Sequence, residues 1–520
     1  MARLKEYNGH YCESEYEYAF IGFLEAEGWK YSSGNNIHRV TKRDVLIDDD
    51  FKKFIADTNP DLTEDEVIQI YDNVRLVGAE SDFATLHKVY GWMVNGVQFT
   101  TQDGLPRMIP LIDFDNWDKN IFRVVNQFTV EYTNNGQKEN RRPDVLLFVN
   151  GMPLCVIELK NPADANATIY DAWEQINIRY WRDIPHLLHY CPLACISDGV
   201  KTRLGTVRTP YEHFYAWRRV NEGDAVSTLP FAETETMIKG VYAPERFMEI
   251  FRDYIYFQDS IYDSDEVEII CRYPQFFAAK LLKQSIVNSV VTRSGKGGTY
   301  FGATGCGKTY TMAFLARQLA LRCTDIPEIG SPTIILIVDR DELQKQGSKL
   351  FTKSKEFLNL GEVSVVKNRT QLRQELGARQ SGGFYICTIQ KFCDRKDDKI
   401  GLINDRQNII CFSDEAHRTQ LEHSKKIQFS KDADENMKAM VSKPYAKVLK
   451  EAFPHATFVG FTGTPIAETY QTFGDEIDRY TMDQAVADGL TVSIKYHPRI
   501  AKVLLDNKKV KEIENYYKKC

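Results

Sequence analysis

The octapeptide Gly302-Ala303-Thr304-Gly305-Cys306-Gly307-Lys308-Thr309 fits the pattern G-x-x-x-x-G-K-[ST] without a mismatch. Glycines at this spacing let successive backbone N–H groups curl round one phosphate, at the positive end of the helix that follows. The lysine, Lys308, reaches the β/γ-phosphates, and the Thr309 hydroxyl holds Mg²⁺. A nucleoside triphosphate is the expected ligand, cradled by Gly302, Thr304, Gly305, Cys306 and Gly307. Further along, Asp414-Glu415-Ala416-His417 follows an apolar run. Asp414 is placed to hold Mg²⁺ through water, and Glu415 to polarise the water that attacks the γ-phosphate. Binding alone needs only the metal ligand, so the adjacent glutamate implies hydrolysis. A third group of residues lies upstream. Asp144 opens one apolar run, Glu158 and Lys160 close another, and Asn150-Gly151 joins the two. That dipeptide is the strongest short-range hairpin signal. Alternation puts Glu158 and Lys160 on one face of their strand, and the hairpin returns them to Asp144. Two carboxylates suit a hard divalent cation. A lysine beside them can orient or activate the attacking water, while the metal stabilises charge growing on phosphorus.

The elements that position these groups are legible too. Thr299-Tyr300-Phe301 reads as a strand, and Tyr310 to Leu321 as a helix with Met312, Leu315, Ala316 and Leu319 on one face. Apolar strands at 333–338, 384–388, 408–413 and 457–461 alternate with helical patterns, which predicts a parallel sheet covered on both faces. Their carboxyl ends carry the polar motifs, where such sheets place ligands. In the first half, helices are expected at 13–27 (stopped by Gly28), 44–57, 63–77 and 83–94. A β-rich stretch follows at 122–132. A helix from about Asp171 to Trp181 carries Gln175, Arg179 and Tyr180, and a strand follows at Leu193 to Ser197. Helical patterns at 233–240 and 244–256 lead to a polar junction at 259–268. His186, His189, Cys191 and Cys195 invite a zinc reading, but Cys-Pro-Leu-Ala-Cys has the wrong spacing for a zinc knuckle and its flanks read as core strand.

At 520 residues the chain exceeds what one core usually serves, so two or more domains are expected. No apolar run approaches the roughly 18 residues of a membrane span. The start, Met1-Ala2-Arg3-Leu4-Lys5, lacks a signal-peptide core. The 11 cysteines are scattered, which suits reduced thiols in a cytoplasm. A net charge of −6 neither favours nor excludes nucleic acid, because phosphate contacts depend on local patches.

Arg142-Pro-Asp144 with Glu158-Leu-Lys160 is the Pro-Asp…(Asp/Glu)-x-Lys signature of metal-dependent DNA nucleases. From Arg272 to Pro465 the chain resembles the first, RecA-like motor lobe of superfamily 2 helicases and translocases, through the phosphate loop, Asp-Glu-Ala-His and Thr462-Gly463-Thr464-Pro465. Nuclease first and motor second is similar to the restriction (motor) subunit of type I restriction-modification enzymes, over nearly the whole chain. The fold so implied is α/β. It comprises a nuclease-like domain at 1–258, a linker at 259–268, the first motor lobe at 269–495 and the start of a further linker at 496–520. By the resemblance Gln275 reads adenine, Arg340, Thr388 and Gln390 lie in motifs facing nucleic-acid backbone, and Glu17 is an additional acidic residue of the nuclease site. Gln175 joins the catalytic set of Asp144, Glu158, Lys160 and Glu415. Asp144, Glu158, Thr309 and Asp414 are the expected metal ligands.

One departure concerns the family's Gln-x-x-x-Tyr. Here Gln175 and Tyr180 are five residues apart, which on a straight helix separates them by about 140° and makes Arg179 the neighbour of Gln175.

The implied activity is ATP-driven translocation and Mg²⁺-dependent cleavage of double-stranded DNA, in company with methyltransferase and specificity subunits. A motor of this class takes arginines from a second lobe. Arg479 and Arg499 are the only arginines after Pro465, so the chain is expected to be the N-terminal portion of a longer subunit. A stand-alone translocase with a DNA-binding N-terminal domain is the alternative. A degenerate nucleotide-gated interaction module is a third reading, against which Lys308, Asp414 and Glu415 stand intact.

Overall fold

The computed structural model describes residues 13–78, 80–161, 168–227, 232–258, 266–339, 350–353, 355–359, 361–392, 401–417, 427–431, 437–441 and 445–492, with Lys509, Lys511, Glu512 and Asn515. The chain opens with helix α1 (Glu13–Ala26) and strand β1 (Lys30–Ser33), then α2 (Asp48–Thr58), α3 (Glu64–Arg75) and α4 (Asp82–Asn95). Thr63 and Glu66 form a capping box at the start of α3, and Ser81 caps α4, which fixes where these helices begin. A ribbon of β2 (Val97–Thr100) and β3 (Pro106–Ile109) precedes β4 (Phe122–Asn126). A second ribbon, β5 (Val130–Asn134) and β6 (Gln137–Arg141), leads to β7 (Val145–Val149) and β8 (Met152–Leu159).

The β7–β8 hairpin turns at Asn150 (φ 50°) and Gly151 (φ 78°), both left-handed as the tight turn demands. A Cβ on Gly151 would lie 2.3 Å from the Ile47 carbonyl oxygen, so glycine is required there. The buried Asn150 amide bonds Leu111, Asn120 and Ile121, which pins the turn into the core. Every residue of β7 and β8 is buried. After the hairpin come α5 (Ile169–Glu174), a π-helix at Gln175–Tyr180, α6 (Trp181–Asp183), α7 (Pro185–Leu188), β9 (Leu193–Ser197) and β10 (Thr202–Thr206). The sheet order is β1-β4-β7-β8-β9-β10, with β1 parallel to β4 and β8 parallel to β9. Helix α8 (Ala232–Met237) runs into a π-helical turn, and α9 (Pro244–Asp253) follows.

The second half is a parallel sheet of seven strands, β15-β16-β14-β17-β20-β13-β21. It begins with helix α10 (Tyr273–Thr292), strand β13 (Lys296–Gly302), helix α11 (Lys308–Leu321) and strand β14 (Thr333–Val338). Strands β15 (Val363–Val365), β16 (Phe384–Thr388), β17 (Ile409–Asp414), β20 (Thr457–Thr462) and β21 (Glu476–Tyr480) complete it, and β18 (Ile427–Lys431) with β19 (Met437–Val441) forms a ribbon. Met312, Leu315, Ala316 and Leu319 of α11 are buried, as their spacing predicts.

Of the polar linker expected at 259–268, residues 259–265 lie outside the described residues, and Val267 and Glu268 begin a strand. The helix expected to reach 256 ends at Asp253, and Ile255–Gln258 is a strand (β11) paired with Val267–Ile270 (β12). Glu268, read as junction, is buried in that hairpin. One apolar cluster runs continuously from Tyr16 to Ala485, so the two halves share packed surface.

Candidate functional site

Two centres emerge, one in each half. At the first, the β7–β8 register pairs Val145 with Ile157, which sets Asp144 beside Glu158 at the open end of the hairpin. Asp144 Oδ2 accepts from the Leu159 N–H at 2.8 Å, locking the strand before Lys160. Glu158 is fully buried. Burial first, and the Asp144 charge second, push its carboxyl well above the usual range, against the pull of Lys160 and of the Tyr180 hydrogen bond. Tyr180 donates to Glu158 Oε1 at 2.5 Å, and Gln175 Nε2 donates to Oε2 at 2.6 Å. Lys160 Nζ donates to Gln175 Oε1 at 3.1 Å and to the Leu159 carbonyl at 3.2 Å. Asp144, Glu158, Lys160, Gln175 and Tyr180 therefore converge.

That convergence corrects the straight-helix expectation for Tyr180. Gln175–Tyr180 is π-helical, so hydrogen bonding steps by five residues and residues five apart stack. Gln175 Nε2 lies 2.8 Å from the Tyr180 hydroxyl. Arg179, the expected neighbour, pairs instead with Glu174 on the surface at 2.8 Å. The extra residue is absorbed by the wider turn.

Glu17 is buried at the same end of the sheet, held by Asn126 at 2.6 Å and by Gln127, whose backbone meets that of Asp144. Among the described residues no group of three His, Cys, Asp or Glu side chains is arranged to hold a metal ion. A buried carboxyl pressed against a second carboxylate is still a donor set that fits a divalent cation, whose charge would offset the cost of ionising Glu158. Cys191 and Cys195 are buried core thiols, and burial pushes both up.

At the second centre, Gly302 ends β13, and Gly305 (φ 82°) and Gly307 (φ 85°) turn the loop into α11. Lys308 Nζ donates to the Gly302 carbonyl at 3.2 Å, folded back across the cradle. Thr309 is half-buried in the first turn, Thr304 and Gly305 are exposed, and Cys306 is buried. Gln275 Oε1 accepts from the Arg272 N–H at 2.9 Å, and its Nε2 donates to the Gly307 carbonyl at 3.3 Å, tying α10 to the loop.

Asp414 ends β17, next to β20 and two strands from β13, which leads into the phosphate loop. Burial, then the Glu415 charge, raises its carboxyl to about 6, against the pull of Lys308. Glu415 has φ 47°, a left-handed backbone rare outside glycine that turns its side chain out of the strand line. His417 bridges from Glu415 (3.4 Å) to the Thr462 hydroxyl (2.8 Å). Gly463 is packed close to Gly302 and Thr304. Thr388 is buried at the end of β16, and Gln390 Nε2 donates to the Asp339 carbonyl at 2.7 Å. Arg340 lies outside the described residues.

A buried acid–lysine hairpin beside a glutamine and a tyrosine, joined to a phosphate loop on a parallel sheet, defines a nuclease-like domain fused to an ATPase lobe. Residues 11–213 match the family described as "Type I restriction enzyme R protein N terminus", and residues 274–519 match the SWI2/SNF2 ATPase family. The chain belongs to the type I restriction enzyme endonuclease-subunit family. It is 31% identical over 509 residues to the HindI endonuclease subunit of Haemophilus influenzae, covering 93% of this chain and 46% of that one. It is 30% identical over 525 residues to the MjaIXP endonuclease subunit named from Methanocaldococcus jannaschii, covering 94% and 46%. A solved fragment titled as an HsdR subunit from Vibrio vulnificus YJ016 is similar at 16% identity and TM-score 0.27, covering 72% of this chain and 57% of that one. The chain spans about half the length of the curated relatives it matches.

Proposed function

We propose that this chain supplies the nuclease and the first motor lobe of a type I restriction enzyme. That enzyme would translocate double-stranded DNA with ATP and cut it with Mg²⁺, alongside methyltransferase and specificity subunits. The observation that carries the reading is the convergence of Asp144, Glu158, Lys160, Gln175 and Tyr180 in a chain that also bears a complete phosphate loop. Asp144 and Glu158 would hold the nuclease metal, and Thr309 with Asp414 the metal of the nucleotide. A bound divalent cation supplies Lewis-acid stabilisation of negative charge at phosphorus.

The remaining work falls to the chain's own groups. Gln175 and Tyr180 hold both Glu158 oxygens in a fixed plane, so its remaining lone pairs face Asp144. Lys160, oriented by Gln175, presents a donor that can hold a water in line with a phosphodiester. Lys308 swings from the Gly302 carbonyl to the β/γ-phosphates. Glu415 orients the attacking water, and His417 links it to Thr462, so that hydrolysis is felt by the Thr462–Pro465 loop. Among the described residues no helix is long and apolar enough to cross a membrane.

The test is cleavage of an unmethylated plasmid by the assembled enzyme. Glu158→Ala should abolish cutting while ATP hydrolysis continues, and Glu415→Gln should keep nucleotide binding and lose turnover. Full cutting by Glu158→Ala would sink the nuclease assignment. Cutting by this chain without partner subunits would favour a stand-alone enzyme.

A further inference from the structure

The nuclease-like half reaches the frame of the phosphate loop at two buried ion-pair clusters. The first is Asp253, the last residue of α9 and almost fully buried. Arg322 clamps it with two hydrogen bonds of 2.7 and 2.8 Å, and Arg317 stands 3.6 Å away. Arg317 lies in α11, the helix whose first residue is Lys308, and Arg322 caps that helix. Tyr254 packs on Phe314 of the same helix at 5.4 Å. The second cluster is Arg219, buried, which grips both oxygens of Asp478 at 3.0 to 3.2 Å. Asp478 lies in β21, which pairs with β13 and accepts the Ala303 N–H at the Tyr480 carbonyl. Beside it, Arg218 bonds Asp488, which also accepts from Tyr273 and Tyr480. Between the clusters, Trp217 is buried against Tyr273, Phe276 and Phe277 of α10 at 5.7 to 6.4 Å.

We propose that Asp253 and Arg219 are positioning residues of the nucleotide site: the nuclease-like half holds α11 and β21 in the register that shapes the phosphate loop, and nucleotide occupancy is felt in return at Trp217. The proposal rests on the reading of this loop as the Mg·ATP site. Among the described residues Arg322 and Asp478, both on the loop's own lobe, have their ion-pair partners across the junction, so the loop's geometry is not set by its lobe alone. Linkage makes the effect reciprocal, because a contact that tightens nucleotide binding is itself tightened by nucleotide.

All six tryptophans lie between positions 29 and 217, so intrinsic emission reports on the nuclease-like half while the ligand binds in the other. The test titrates the whole chain with a fluorescent ATP analogue and Mg²⁺, following both analogue binding and tryptophan emission. The parent should bind and change its emission, and Lys308→Ala should lose both responses. Asp253→Asn and Arg219→Gln should each weaken binding about tenfold and blunt the emission change. The exchanged pair Arg219→Asp with Asp478→Arg should recover most of the affinity, which a merely lost fold could not do. If a single variant fails to fold, the exchanged pair decides. Parental affinity and emission response in folded Asp253→Asn and Arg219→Gln, or a folded exchanged pair without recovery, would overturn the proposal. No binding by the parent would overturn the Mg·ATP reading itself, and this proposal with it.

Discussion

At Glu158 the chain buries a carboxyl completely and surrounds it with two donors, a lysine and a second acid. Tyr180 carries one of those donors, so Tyr180→Phe should leave Glu158 half-held without opening a large cavity. Groups that orient a metal ligand typically contribute about 10–100-fold in activity. Single-turnover cleavage by the assembled Tyr180→Phe enzyme should fall by that order and be partly recovered at higher Mg²⁺. A rate equal to the parent's would reduce Tyr180 to a packing residue. A second residue-scale expectation concerns His186, whose buried Nε2 has no hydrogen-bond partner among the described residues. Burial first, then the Arg43 charge, lowers its imidazole to about 4. The folded chain keeps it neutral, whereas the unfolded chain takes up a proton below about pH 6.5. Its share of stability is thus whole above that pH and is lost as pH falls toward 4, by up to about 3 kcal/mol. His186→Leu should flatten the fall in urea midpoint between pH 6.5 and 4.5, and an unaltered slope would clear His186 of the effect.

Among the elements, the β7–β8 hairpin was legible because Asn-Gly leaves few alternatives and the apolar runs beside it have nowhere to go but the core. The phosphate loop, the strand ends and the order of motifs were legible for the same reason: each rests on local spacing. The π-helix was not, since nothing in Gln-Ile-Asn-Ile-Arg-Tyr distinguishes a wide turn from a straight one. The turn forms because Gln175 and Tyr180 both bond the buried Glu158, and Ile176 and Tyr180 are buried together. Sequence periodicity reports a helix's own geometry, not the tertiary bonds that can bend it. The β11–β12 hairpin was hidden in a similar way, because acidic composition masked a buried Glu268. Deleting Asn177 restores a spacing of four and should give a straight helix that still brings Tyr180 to Glu158, with cleavage retained. Inserting an alanine after Asn177 should abolish cleavage. Loss of activity in the deletion variant, with its fold intact, would mean that the wide turn itself is required.

Across the whole molecule, the apolar cluster from Tyr16 to Ala485 and the ion pairs Asp253–Arg322 and Arg219–Asp478 join the two halves. Independent domains joined by a linker would melt separately, whereas halves that share a core and buried charges unfold as one cooperative unit. The placement of every tryptophan before position 218 gives a direct measurement. Tryptophan emission follows only the nuclease-like half, and far-ultraviolet circular dichroism follows both. The two thermal transitions should coincide. Nucleotide binds the native ATPase lobe, so at about 100 times its Kd it stabilises the native chain by about 2.7 kcal/mol. In a coupled molecule that gain must raise the tryptophan midpoint as well, with Trp217, packed on Tyr273, Phe276 and Phe277, as the direct contact to the ATPase lobe. Lys308→Ala should melt as the parent does without ligand and show no shift with it. Two separated transitions, or a nucleotide shift seen by circular dichroism but absent from tryptophan emission, would show that the halves unfold independently and that the buried pairs at the junction do not bind them into one unit.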